Sequence, residues 1–180
     1  MKPVRTLRLP RAVILMAGLG AVSAFGQFNA SGTTNLSVTV GAEAAIEINT
    51  ATTALTSAGL FADFTGTTSL TYKIRTTQSG GTGSVVLKIT TDFAAGGPSV
   101  AAPAAGDALT YTCTVAAPGT ACTGSVTALT TATTSVATFA ADAHSAKAGN
   151  SASVAWDLPD DPVYKTGSYI AVATFTISAT

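Results

Sequence analysis

The chain has 180 residues, with nine Lys or Arg against nine Asp or Glu and a single His, and charged residues make up only 10% of it. A typical globular chain is about 25% charged, so Thr, Ser, Ala and Gly must clothe much of this surface. A hydrophobic fraction of 47% excludes the composition of disordered chains, which are poor in apolar residues and rich in charge. The few scattered cations build no basic patch, which argues against nucleic acid as a partner.

The chain opens with Lys2, Arg5, Arg8 and Arg11, then an uncharged apolar run at 12–22 (AVILMAGLGAV), then the small residues Ser23, Ala24 and Gly26. That order reads as a secretory signal peptide over 1–26, cut after Ala24 or after Gly26. The apolar run is shorter than the roughly 20 residues of a membrane helix, and no later run approaches that length. The expectation is a bacterial exported protein, secreted or held at the cell surface, with no membrane span after cleavage. Without the leader, Lys73, Arg75, Lys88, Lys147 and Lys165 face nine acids, a net charge of −4. Residues 27–180 read as a single domain, long enough to bury about two-thirds of its unfolded surface.

Short alternating runs then follow one another. Leu36, Val38 and Val40 alternate with Ser37 and Thr39; after Gly41, Ala44, Ile46 and Ile48 do the same. Period two predicts strands with one dry and one wet face. A loop at 50–59 leads to Leu60, Phe61 and Phe64, expected to plug one end of the core. Residues 69–90 (SLTYKIRTTQSGGTGSVVLKIT) hold two alternating runs around Gly80, Gly81 and Gly83, the pattern of a β-hairpin. Residues 92–107 are rich in Pro, Gly and Ala and read as a connection. Leu109, Tyr111, Cys113 and Val115 form a strand, with a return through Cys122, Gly124 and Val126. A weaker strand covers 134–139, and another covers 153–158, with Val154, Trp156 and Leu158 on one face. The PDDP turn precedes a final strand over 169–178, with Tyr169, Ala171, Ala173, Phe175 and Ile177 on one face and Ile170 and Val172 on the other. Eight or nine strands without an amphipathic helix predict an all-β fold, a two-sheet sandwich of immunoglobulin-like or Greek-key type, with a jelly roll or closed barrel as the alternative.

Few residues could carry chemistry. Cys113 and Cys122 flank a Pro-Gly turn, and an even cysteine count in an exported chain predicts a disulfide. A redox pair usually has CxxC spacing, and a thiolate metal site needs more ligands. His144 is the lone histidine and sits in a polar stretch beside Asp142, with no nucleophile elbow in the chain, so no enzyme is expected. Asp157, Asp160 and Asp161 could supply hard oxygens to calcium, but Asp and Pro at this spacing also simply make a turn. No cofactor is expected. Trp156, Tyr72 and Tyr111 keep phase with apolar neighbours and read as core rather than as a sugar platform. Asn29 and Asn35 begin glycosylation-type triplets.

The stretch Tyr164-Lys-Thr-Gly167-Ser-Tyr169 leads into IAVATFTISAT at 170–180. A Gly-x-Tyr entry into a last alternating strand resembles bacterial secreted β-sandwich subunits of the fimbrial and spore-coat-U-like group. The likeness covers about the last 20 residues, the leader and the early VTV run. It implies a structural surface or filament subunit that polymerises by strand donation, and it transfers no functional residue. The residues fit such self-association: the run at 36–40 is detachable at Gly41, and the run at 170–178 has no charge to blunt an edge. The alternatives are a monomer whose first strand pairs within its own sheet, and a secreted adhesion module for carbohydrate or a protein partner.

Overall fold

The computed structural model describes residues 31–100 and 108–180. The predicted leader, its cleavage region and Asn29 lie outside them. The chain divides into two units, Met1–Val38 and Thr39–Thr180. In the first, residues 31–38 are exposed and carry no regular secondary structure. The second holds the strands β1 (Glu43–Ile48), β2 (Thr56–Ser57), β3 (Phe64–Arg75), β4 (Gly83–Thr91), β5 (Thr110–Val115), β6 (Thr120–Ala121), β7 (Val126–Thr127), β8 (Thr134–Phe139), β9 (Asn150–Leu158) and β10 (Val172–Ala179).

These strands form two antiparallel sheets and no closed barrel. One sheet runs β1-β3-β9-β5-β7, with β2 beside the start of β3; the other runs β10-β4-β8-β6. The all-β, two-sheet sandwich expected from the sequence is what the chain forms. The hairpin at 69–90 is not. Its two runs become β3 and β4, which lie in different sheets: β3 pairs with β1 and β9, and β4 with β10 and β8. The reason is the completeness of their apolar faces. Leu70, Tyr72 and Ile74 of β3 and Val85, Leu87 and Ile89 of β4 are all at most 4% exposed. In one sheet both rows would need a covering layer; in opposite sheets each row covers the other. The turn at 76–82 therefore crosses the sandwich. Gly80 has φ 72°, and a Cβ at Gly81 would strike Thr77. Thr76 and Thr77 tie this turn down by donating their N–H groups to Ala143 O and Thr180 O, each at 3.0 Å.

Three further expectations change. Residues 36–40 form no strand. The return after Cys113 is split: β6 belongs to the opposite sheet, and β7 is only two residues long. Leu60 and Phe61 do not plug the core but stand 96% and 66% exposed, while Phe64 packs partly against it.

The core lies between the central strands. Trp156 meets Tyr111 edge-on with ring centroids 5.5 Å apart, and Tyr72 tilts against Phe139 at 5.1 Å. The polar tips of Trp156, Tyr111 and Tyr72 each have a partner. Trp156 Nε1 donates to Thr68 Oγ1 at 2.8 Å, Tyr111 OH donates to Thr134 Oγ1 at 2.7 Å, and Tyr72 OH donates to Ala116 O. The placement of Trp156, Tyr72 and Tyr111 in the core follows the phase of their neighbours. Burial pushes the phenols of Tyr72 and Tyr111 above the usual tyrosine range, partly offset by hydrogen bonds to Gly119 and Thr134 respectively.

Candidate functional site

Cys113 Sγ and Cys122 Sγ stand 2.12 Å apart, with Cα atoms at 5.5 Å, which is disulfide geometry. The pair does not sit across a hairpin. Cys113 belongs to β5 of one sheet, and Cys122 follows β6 of the other and donates its N–H to Val136 O of β8 at 3.0 Å. The crosslink therefore staples the two sheets together.

His144 Nε2 lies 3.4 Å from Asp142 Oδ1, and both side chains are more than half exposed. The serine beside it, Ser145, uses its hydroxyl to accept from Ile74 N at 2.9 Å, a structural task that pins the 140–149 loop to the end of β3. Among the described residues no three His, Cys, Asp or Glu converge as a metal site. Asp157 instead points outward from β9, and Asp161 Oδ1 accepts from Val163 N at 2.9 Å, closing a turn.

The most distinctive geometry is at the side of the sandwich where β1 and β10 form the edges. Each hydrogen-bonds one neighbour, β1 with β3 and β10 with β4, and each leaves its other edge unpaired among the described residues. Cross-strand hydroxyls zip the β10–β4 pair: Ser178 with Ser84 and Thr174 with Thr90, each at 3.1 Å. The inward residues of these edges are incompletely covered. Ile46 of β1 and Ala173, Phe175, Ile177 and Ala179 of β10 pack on the core yet remain partly exposed. Ile48, Ile170 and Val172 stay exposed as well. No charged residue or proline occurs in β10, so beyond the register shift at Val172–Ala173 its edge carries no charge or proline to blunt it. Residues 36–40 complete the picture: Leu36, Val38 and Val40 are 94%, 86% and 61% exposed, an alternating apolar row with its apolar side in water.

Two further features stand at opposite ends of β3. At its start, Leu60, Phe61 and Asp63 protrude from the β2–β3 loop. Ser57 Oγ ties this loop, lying 2.7 Å from Gly59 O and 2.6 Å from Ala62 O as their donor. Phe61 adopts φ 53°, a left-handed conformation that costs a bulky residue about 1–3 kcal/mol. At its end, a shallow depression of about 650 Å³ is lined by Glu43, Ala44 and Ala45 of β1, Lys73, Ile74 and Arg75 of β3, and residues 144–147. Three of the five cations outside the predicted leader, Lys73, Arg75 and Lys147, thus converge with His144. The sequence expectation of scattered cations is corrected here, because the loop after β8 folds back onto the end of β3 through the Arg75–His144 bridge. Nothing in the spacing of residues 73, 75 and 147 announces that meeting.

No family model, curated protein or solved structure matches the chain.

Proposed function

We propose that the protein is an exported, non-catalytic structural subunit of the bacterial cell surface that associates with its own kind by strand addition, in the manner of a filament subunit. The observation that supports this reading is the coexistence of an uncharged edge and an unused strand. β10 presents unpaired backbone groups and the half-covered Phe175 and Ile177, and residues 36–40 hold out Leu36, Val38 and Val40. An added strand gains affinity from the backbone hydrogen bonds of the edge and specificity from alternate side chains filling gaps. Such a contact is heterologous and does not close, so it propagates as a fibre. The fimbria-like carboxy-terminal stretch and the leader agree with this role.

The test is sizing and electron microscopy of the protein without its leader, intact and lacking residues 27–41. The intact form is expected to give multimers, and the shortened form, or Leu36→Asp with Val38→Asp, to give folded monomers. An intact form that stays monomeric at every concentration overturns the reading.

A second reading, a carbohydrate-binding adhesion module, draws on a shallow depression of about 620 Å³ on the outer face of the β3-β9-β5 sheet. Thr65, Thr67, Thr110, Thr112 and the carboxylates of Asp63 and Asp157 line it. Binding of neutral oligosaccharides that Asp157→Asn and Thr112→Val abolish would favour it.

A further inference from the structure

The loop tip at the start of β3 and the depression at its end are complementary. The tip offers two solvent-exposed apolar side chains, Leu60 and Phe61, followed by the carboxylate of Asp63. The depression offers an apolar lining from Ala45, Ala146 and the lysine stems, rimmed by cations. Of these cations, Arg75 is engaged by Glu43 at 2.7 Å and His144 faces Asp142, which leaves Lys73 and Lys147 without an ion pair among the described residues. Exposed apolar groups grouped on a held loop mark contact sites more often than single exposed residues do.

From these placements we infer that the Leu60–Phe61 tip of one copy seats in the depression of the next, with Asp63 facing Lys73 and Lys147. The inference rests on the filament reading and adds a second contact to it. The two elements lie at opposite ends of one strand, β3, whose 12 residues span roughly 36–40 Å. One screw displacement of about that length carries tip onto depression and repeats without closure. Both surfaces are held in shape before contact. Ser57 fixes the tip, and the far wall is fixed by Ser145, which donates its N–H to Ile74 O at 2.9 Å, and by Ala146, whose N–H donates to Asn150 Oδ1 at 3.0 Å. Little ordering therefore remains to oppose docking.

The experiment uses a double variant, Leu60→Cys with Ala146→Cys, assembled and then mildly oxidised. A ladder of covalent multimers is expected, with none from either single variant beyond dimers. In parallel, Asp63→Lys should lower multimer yield about tenfold, equivalent to ~1.4 kcal/mol, and Lys73→Asp with Lys147→Asp in the same chain should restore it. These residues are exposed, so the melting temperature of each variant monomer is expected to match the parent and serves as the folding control. Multimers that form without a ladder and ignore the charge reversal overturn this contact and leave strand addition standing. Absence of multimers from the parent chain overturns both.

Discussion

β9 and β10 are alternating strands of similar length, nine and eight residues, with an apolar residue at every second position. β9 is bonded on both sides, to β3 and β5, and its inward Ala152, Val154, Trp156 and Leu158 are all buried. Among the described residues β10 is bonded on one side only, and its inward Ala173, Phe175, Ile177 and Ala179 are only half covered. The same local pattern thus yields a closed strand or a receptive one, and the difference comes from the number of neighbours. On the proposed reading, the β1–β10 side is where another strand adds.

The sharpest way to break this comparison is to truncate matched aromatics. Trp156→Ala is expected to cost about 3–5 kcal/mol of unfolding free energy, the usual range for a fully packed ring. Phe175→Ala should cost about half as much, because part of its surface is already wet. Equal losses in urea unfolding would mean that the β10 side is as closed as the β9 side.

Next in size is the inter-sheet crosslink. Replacing both Cys113 and Cys122 by Ser is expected to lower stability by about 2–3 kcal/mol, from the unfolded-state entropy of so short a loop. Calorimetry should show the loss in the monomer, and on the filament reading assembly through residues 36–40 should be preserved, since the crosslink lies toward the opposite edge, beside β6.

Thr68→Val sharpens the account of the core. Thr68 Oγ1 accepts from Trp156 Nε1 at 2.8 Å and contacts Thr53 Oγ1 at 2.6 Å. Its loss strands a buried indole N–H and should cost about 1–3 kcal/mol, with a blue shift of tryptophan emission. An unchanged midpoint would show that the indole has another partner.

The smallest effect is in alkali. Tyr72 and Tyr111 have phenols raised by burial, so the unfolded chain loses these protons first. Their contribution is intact below the ordinary tyrosine pKa of about 10 and is lost as pH rises through the folded values. The melting temperature should be flat at neutral pH and fall above about pH 10, and Tyr111→Phe should make that fall shallower.

Much of this protein is legible in its residues. The alternation of Val154, Trp156 and Leu158, or of Tyr72 with Leu70 and Ile74, determines both that these segments are strands and which face is dry, because the side-chain period of a strand is two. The even cysteine pair around Pro118-Gly119 determined that Cys113 and Cys122 should meet. The tertiary structure alone decided which strands are neighbours. Period-two patterning is blind to whether two successive strands share a sheet or face each other across a core, which is why the run at 69–90 reads as a hairpin and folds as a crossing. It is equally blind to edges: Leu36, Val38 and Val40 carry the pattern of a strand, yet a strand exists only where a partner supplies its hydrogen bonds. Lys73, Arg75, His144 and Lys147 come together for the same reason, since long-range closure by the 140–149 loop sets their distance and sequence separation does not.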